Sequence, residues 1–366
     1  MSTNQNKSNH SFFMQLALHQ AQKNIGNTGD NPSVGCILVK NNYVIGAGCT
    51  SLKGRPHAER NAIYNSIESP INSYLYVTLE PCSNYGKTPP CVKLISRKKI
   101  KKVLFSIHDP DQRSYNKSKY FLSSKKINVQ NGILKKEASS FYKSYIKYKT
   151  SEMPFVTSKV AVSKDFFSIN KKKRWITNTF SRGRVHLMRS QHDCIITSSK
   201  TILIDDPTLN CRIKGLEKNS PTRVILDKSL VVPLNSKILK SSSLYRTIIF
   251  YNIKKKKKLK ALKKLNIKTF KINLDENKQL NLKECLIKIK KLGYSRVFLE
   301  SGASLNSSFI KNNLIDDFLL FISNNNLNKN GDGNIKSSFY NHLRRKKNFK
   351  VKVNLFGDKL IKYILK

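Results

Sequence analysis

Two α/β domains in tandem are the fold class this sequence predicts, and three observations predict it. The chain has 366 residues, more than one compact core usually organises. In both halves, short apolar runs of strand character alternate with segments of helix-like apolar spacing. Glu152-Met153-Pro154 reads as a joint between them, because proline stops a helix and biases the preceding residue towards extended backbone. The resulting boundaries are a polar, disordered start over 1–9, a first domain over 10–150 and a second over 151–366.

In the first half, Phe12 to Gln22 is a helix whose apolar positions read as core rather than as a membrane face. Val34-Gly35-Cys36-Ile37-Leu38-Val39 has strand character, Asn41-Asn42 is a turn signal, and Tyr43-Val44-Ile45-Gly46 follows, so a hairpin is expected. Pro56 stands before His57, and Ala58, Ala62, Ile63 and Ile67 recur at helical spacing, which puts His57 and Glu59 on the first turn of a helix. Tyr74 to Leu79 is the next strand, with Glu80-Pro81-Cys82 opening the element at its end, and Tyr142 to Lys149 reads as a closing helix.

His57-Ala58-Glu59, Pro81-Cys82 and Cys91 carry the chemistry of this half. One imidazole and two thiolates are borderline-soft ligands suited to zinc, and no fourth Cys or His stands beside them at ligand spacing. A structural zinc site closes its coordination with protein, whereas a catalytic one leaves a position for water, whose pKa the metal lowers towards ~7. A carboxylate two residues after the histidine completes the composition of a hydrolytic deaminase: His57, Cys82 and Cys91 hold the metal and Glu59 moves protons. Ligands at the N-termini of neighbouring helices can converge on one ion, and the helix ends favour thiolate over thiol. The bland alternative is a stray buried histidine beside two unrelated core cysteines.

Most zinc nucleobase deaminases space their cysteines as Cys-x-x-Cys. Here eight residues separate Cys82 from Cys91. With Asn31-Pro32-x-Val34-Gly35, Thr78-Leu79-Glu80-Pro81-Cys82-Ser83, Gly86-Lys87-Thr88-Pro89-Pro90-Cys91 and Asp109-Pro110, this half resembles the deaminase part of the bifunctional deaminase/reductases of riboflavin biosynthesis. The resemblance implies a cytidine-deaminase-like zinc domain, with Asn31 and Asp109 as substrate contacts. Asn84 and Tyr85 stand where that family usually has one or two histidines, and Ser33 replaces a common Asn.

The second half reads as strands at 155–157, 194–197, 223–226, 247–250 and 296–299, with helices at 182–191 and 282–292, which argues for a mostly parallel sheet. No Gly-x-Gly-x-x-Gly follows these strands, so a Rossmann fingerprint is absent. Lys159-x-Ala161-x-Ser163-x-Asp165, Trp175-Ile176-Thr177, Arg189-x-Gln191-x-Asp193, the run from Thr197 through Asp205-Asp206-Pro207 to Leu209, Arg212, Asp227 and Glu300-x-Gly302-x-x-Leu305 resemble the reductase part of the same family. That resemblance implies a dihydrofolate-reductase-like α/β domain using NADPH. Trp175, Thr201, Asp205, Gly302 and Ser304 then read as cofactor contacts, and Arg189, Leu209, Arg212 and Glu300 as substrate contacts. Gly302 and Ser304 lie between a strand and a helix, where backbone N–H groups cradle phosphate. Arg189 and Arg212 suit a ribose 5′-phosphate. One departure concerns Phe166-Phe167-Ser168, where the family has Gly and a basic residue after the aspartate. Glycine supplies φ > 0 at such a turn and phenylalanine resists it, so the 166–174 loop is expected to have changed shape.

There are 69 basic against 22 acidic residues, a formal +47. Lysine is spread along the whole chain and abundant Asn and Ile accompany it, a pattern of drift towards codons poor in G and C. Specific nucleic-acid binding is not expected, since no RNA-binding module or aromatic platform is readable. Seven cysteines form no disulfide framework and suit a reducing compartment. No apolar stretch of ~18 residues and no signal-peptide pattern is present, so a soluble cytoplasmic enzyme without membrane contact is expected. The function that the family resemblance implies is deamination then NADPH-dependent reduction of a phosphorylated pyrimidine, and a homo-oligomer is expected. Two alternatives stand beside it: a deaminase with a degenerate reductase domain, and a nucleic-acid editing deaminase.

Overall fold

The computed structural model describes residues 2–366, with the side chains of residues 2–8, 337 and 338 outside that description. The chain divides into two compact units, Met1–Ser151 and Glu152–Lys366.

Helix α1 of the first unit is Ser2–Gln22, upstream of the Phe12 start that the apolar spacing suggests. Phe13, Met14, Ala17, Leu18 and Ala21 are buried and fix the C-terminal half. Propagation then adds one hydrogen bond per residue, and no Pro or Gly interrupts the polar lead. The expected disordered start is therefore helical backbone from Ser2 onwards; Met1 lies outside the described residues.

Strands β1 (Gly35–Lys40) and β2 (Tyr43–Cys49) form the expected hairpin. Asn41 and Asn42 have φ of 50° and 65°, the pair of left-handed residues that a twisted two-residue hairpin requires. Helix α2 (Ala58–Tyr64) stops before Ile67, which is 85% exposed: its N–H bonds Ile45 O and leaves the helix. After β3 (Tyr74–Leu79) come α3 (Cys91–Arg97), β4 (Lys102–Ile107), α4 (Lys117–Ser124), β5 (Asn128–Asn131), α5 (Lys135–Phe141) and α6 (Lys143–Thr150). The sheet order is β2-β1-β3-β4-β5, antiparallel as far as β3 and parallel beyond it.

Two glycines seat the helices on this sheet. A Cβ on Gly35 would lie 1.9 Å from Ala17 O of α1, and one on Gly48 would lie 2.4 Å from Ala62 N of α2. Both helices therefore rest on bare strand backbone. A core of Cys36, Leu38, Ala58, Ala62, Leu75, Val77 and Phe105 forms around them.

The second unit opens with β6 (Phe155–Val162), β7 (Phe167–Asn170), α7 (Thr179–Ser190), β8 (Cys194–Ser198) and α8 (Ser199–Asp205). It continues with β9 (Thr222–Leu226), α9 (Lys237–Lys240), β10 (Thr247–Tyr251), α10 (Lys256–Lys264), β11 (Lys268–Lys271) and α11 (Leu282–Lys291). Next come β12 (Arg296–Glu300), α12 (Ala303–Lys311), β13 (Asp317–Ile322), β14 (Gly331–Asn334), β15 (Asn348–Lys350) and β16 (Lys359–Ile364). The main sheet runs β11-β10-β9-β8-β12-β6-β13-β16-β15, parallel from β11 to β13 and antiparallel beyond. Its central strands are near-continuous Val, Ile, Leu and Phe because helices cover both faces. Strands β7 and β14 pair separately as a ribbon.

The turn ahead of β7 departs from expectation. Phe166 adopts φ = 70° itself, so phenylalanine has not abolished the left-handed turn. Its ring lies 4.4 Å from that of Tyr340, centroid to centroid, with the Lys336 ammonium 5.1 Å from its centre. Those contacts offset the steric cost of a bulky residue there. Among the described residues, no helix is long and apolar enough to cross a membrane.

Candidate active sites

Three ligand atoms converge in the first unit. His57 is the N-cap of α2, Cys91 the first residue of α3, and Cys82 lies in the loop after β3. Cys82 opens no helix, so one helix end serves a thiolate and the other the imidazole. His57 Nδ1 is 3.5 Å from both Sγ atoms, and all three lie within 4.8 Å of one another. Tetrahedral zinc, with Zn–N about 2.0 Å and Zn–S about 2.3 Å, holds such atoms about 3.6 Å apart, so the trio fits that ion. The backbone N–H of Cys91 donates to Cys82 Sγ at 3.3 Å. A hydrogen bond from the Cys91 thiol, with further help from His57, draws Cys82 down to about 4. Cys91 itself is held well above the usual thiol range, first by that hydrogen bond and then by burial.

Glu59, the second residue of α2, is 4% exposed. Burial first, and the Cys82 charge second, push its carboxyl up to about 7, where it can take and return a proton near neutrality. Asn31 donates through Nδ2 to Gly54 O at 2.9 Å, which ties it to the segment leading into His57. Asp109 is buried and accepts from Asp111 N (3.0 Å) and Tyr145 OH (3.0 Å); burial raises it to about 6.

Sequence reading missed the residues that frame these. The Arg55 guanidinium contacts His57 Nε2 at 3.4 Å and donates to Thr88 Oγ1. Glu80, 3% exposed, contacts His108 Nδ1 (2.8 Å) and accepts from the N–H groups of Asp109, Asn116 and Ser118 and from Ser118 Oγ. It thereby binds the root of the Cys82 loop to the 108–118 loop. The adjacency of Arg55 and Glu80 to Pro56-His57 and Pro81-Cys82 was the available signal. Asn84, standing where the family has histidine, accepts from Ser114 Oγ at 2.7 Å, and Tyr85 packs under Lys93, its ring centre 4.6 Å from the ammonium. Ser33 donates to Ala21 O.

In the second unit Thr201 and Gly302 follow the C-terminal ends of β8 and β12. Thr201 of α8 and Ser301, each 3.0–3.1 Å from Ser198 Oγ and 3.0 Å from one another, form a hydroxyl cluster. Gly302 caps α12 without a side-chain acceptor, and a Cβ there would meet nothing within 4 Å. Open space over an uncapped helix start, with Ser304 one residue inside it, suits a dinucleotide phosphate. Trp175 is 52% exposed and flanked by the guanidiniums of Arg174 and Arg182, 5.1 and 5.0 Å from its ring centre. Asp205 ends α8, and its backbone carbonyl accepts from Arg174.

Arg189 and Glu300 come together, but on each other. Arg189 Nε and Nη2 both donate to the Glu300 carboxylate at 2.9 Å, and Nη1 donates to Asn210 O at 2.9 Å. The fork expected to hold phosphate is therefore already engaged. Burial opposes ionisation of Glu300, yet the charges of Arg189 and Lys159 bring it down to about 2. Leu209 is 3% exposed with φ = 51°, and its side chain belongs to the core rather than to an open site. Arg212 is exposed, its Nη1 donating to Thr208 Oγ1 at 3.2 Å, and remains available to an anion. His186 was missed: its Nδ1 accepts from Arg212 N at 3.2 Å and lies 3.5 Å from Arg189 Nη1. Burial, then the Arg189 and Arg212 charges, lower it to about 4. Its i, i+3 spacing from Arg189 on α7 was the signal.

These features define a zinc-dependent pyrimidine deaminase joined to a reductase. The model of the cytidine and deoxycytidylate deaminase zinc-binding region matches residues 7–107, and that of the RibD C-terminal domain matches 154–325. The riboflavin biosynthesis protein RibD of Aquifex aeolicus is 34% identical over 313 residues, covering 85% of this chain and 86% of that protein. Its counterpart in Bacillus amyloliquefaciens is 33% identical over 318 residues, covering 85% and 84%. The solved RibD of Acinetobacter baumannii superposes with a TM-score of 0.85 at 28% identity, covering 98% of this chain and 99% of that one. A deaminase/reductase from Thermotoga maritima gives 0.83 at 27%, with the same coverage. The chain belongs to the RibD family of bifunctional riboflavin-biosynthesis enzymes, a deaminase fused to a reductase, and its cofactors are zinc and NADPH.

Proposed function

We propose that the two units act in turn on one phosphorylated pyrimidine. The first would replace the 2-amino group of 2,5-diamino-6-ribosylamino-4(3H)-pyrimidinone 5′-phosphate by oxygen; the second would convert the ribosyl group of the product to ribityl. The observation that carries this reading is the His57–Cys82–Cys91 trio with buried Glu59 beside it. Zinc, when bound by those three residues, supplies a water acidic enough to react near neutrality. Glu59 would take a proton from water adding to the ring carbon and return it to the amino group, so that the C–N bond breaks and ammonia leaves. Its carboxyl, poised at about 7, is suited to both transfers. Asn31 and Asp109 border the pyrimidine, and Arg55, through Thr88, holds the inter-thiolate loop beside it.

In the second unit NADPH, when bound, would supply the hydride for reduction of the ribosyl group. Trp175, Thr201, Asp205, Gly302 and Ser304 hold the cofactor, and the α12 start and hydroxyl cluster serve its phosphates. Arg212 receives the substrate 5′-phosphate, while Arg189 and Glu300 brace each other behind it and Leu209 offers backbone groups. A homo-oligomer in the cytoplasm accords with this role.

Chelating zinc from the full-length protein is the test. Ammonia release from the diaminopyrimidinone phosphate should stop, while NADPH oxidation with the deaminated pyrimidine continues. NADPH should also quench Trp175, the single tryptophan of the chain. Ammonia release that survives chelation would sink the deaminase assignment, and absent quenching would sink the cofactor site.

A further inference from the structure

Arg223 on β9 is the largest fully buried side chain among the described residues, at 0% exposed. Among the described residues no carboxylate pairs with it, and burial alone lowers it to about 10. Its donors go to neutral acceptors. Nε and Nη2 reach Thr247 Oγ1 (3.1 and 2.6 Å), and Nη2 also reaches Tyr245 O (2.8 Å). Nη1 donates to Ser241 Oγ (2.7 Å) and Thr208 O (3.1 Å).

Burying a guanidinium without a counter-charge is costly, so the hydrogen bonds must hold something that packing alone would not. Thr208 O precedes Leu209, a left-handed residue with φ = 51°. The next carbonyl, Asn210 O, accepts from Arg189. Two buried arginines thus grip the carbonyls on either side of a strained residue. Asn210 Nδ2 donates to Tyr245 OH at 3.1 Å, and the Arg223 guanidinium lies 5.3 Å from that ring. Thr208 Oγ1 donates to Asn210 Oδ1 and accepts from Arg212 Nη1. A left-handed non-glycine residue persists only where its surroundings over-determine it. Arg212 follows two residues after Asn210, and its Nη1 donates to Thr208 Oγ1 within the gripped segment.

We propose that Arg223 is a positioning residue of the reductase site, fixing Thr208–Arg212 so that Arg212 faces the 5′-phosphate. The inference rests on the assignment of Arg212 to that phosphate. It goes further in tying specificity for the phosphorylated pyrimidine to a residue that touches no substrate. A lysine at 223 keeps the charge but loses the planar fork that spans Thr208, Tyr245 and Thr247.

The test uses zinc-loaded full-length Arg223→Lys, Tyr245→Phe and Arg212→Gln. NADPH oxidation is measured against 5-amino-6-(5-phosphoribosylamino)uracil and against NADPH, and ammonia release is followed as an internal control. Arg223→Lys should raise KM for the pyrimidine about tenfold or more, the worth of a charge-assisted hydrogen bond. KM for NADPH and ammonia release should stay within about twofold of the parent. Tyr245→Phe, which removes only the Asn210 link, should move the same KM less, and decides the matter if the lysine variant fails to fold. Unchanged pyrimidine KM in both, or KM rising equally for both substrates, overturns the positioning role. If Arg212→Gln also leaves that KM unmoved, the assignment of the phosphate site falls and takes the proposal with it.

Discussion

Substituting Gly48 by alanine tests whether the zinc site depends on how closely α2 rests on β2. A Cβ at that position would lie 2.4 Å from Ala62 N and 2.5 Å from Ala58 O, where ordinary contact begins at 3.4 Å. Backbone and not a flexible side chain stands in the way, so α2 and β2 must separate by about 1 Å. His57 caps α2 and Glu59 lies in its first turn, whereas Cys82 and Cys91 belong to the β3 loop and α3. A retreat of α2 therefore stretches the 3.5 Å separations between His57 Nδ1 and the two sulfurs. Overpacking of this kind costs about 1–3 kcal/mol, and a 1 Å misplacement at a reacting centre costs on the order of a hundredfold in rate. Expected are a lower zinc affinity in competition with a chromophoric chelator, ammonia release down about a hundredfold, and NADPH oxidation with the deaminated pyrimidine unchanged. Ammonia release within about threefold of the parent, with zinc held as tightly, would refute the reasoning. It would mean that β2, an edge strand, gives way without moving α2.

Three further outcomes follow from the geometry. Glu300→Gln leaves buried Arg189 without its carboxylate and should destabilise the second unit by about 3–5 kcal/mol, read from urea unfolding followed by Trp175 fluorescence. Because Glu300 is depressed to about 2, its contribution is full above the unfolded value near 4.5 and is lost as pH falls towards 2, so the gap between parent and variant should narrow in acid. Asp109 runs the other way: raised from 3.8 to about 6, it binds a proton more readily when folded, and stability falls as pH rises between those values. Asp109→Asn should lack that fall and gain at most about 3 kcal/mol at pH 7, seen as a thermal midpoint difference that grows from pH 4 to pH 7, while ammonia release drops. Gly183→Ala, exposed inside α7 with nothing within 4 Å of the new Cβ, should stabilise by roughly 0.5–1 kcal/mol and leave both activities alone.

What could be read in the sequence divides along a physical line. Apolar periodicity marks elements whose one face is buried, so β1, β3, β8–β10, β12, α7 and α11 were legible within a residue or three. Strand β15 is exposed throughout and carries no such signal, and α1 extends beyond its packed half by propagation alone. The convergence of His57, Cys82 and Cys91 was legible because zinc restricts donor type and spacing. Partners were not. Nothing in the spacing of Arg189 and Glu300, 111 residues apart, says that they neutralise each other rather than grip a phosphate. Nor could glycine statistics foretell that Phe166 accepts φ = 70° once Tyr340 packs against its ring.

The eight-residue spacer between the thiolates shows how the two kinds of information combine. A two-residue spacer would confine both cysteines to one helical turn. Here Cys82 stays in the loop after β3 and Cys91 starts α3, so residues 83–90 are free to reach outward. Asn84 accepts from Ser114 on one side and Thr88 accepts from Arg55 on the other. Glu80, at the root of the same loop, collects His108, Asn116 and Ser118. The spacer is therefore tied at two points, and the root of its loop at a third, to the segments that carry His57 and Asp109. A side chain changed within it will move the walls around the metal before it moves the metal, so substitutions at Asn84 should alter KM for the pyrimidine while zinc affinity holds, and equal losses in both would show that the loop merely tethers Cys91.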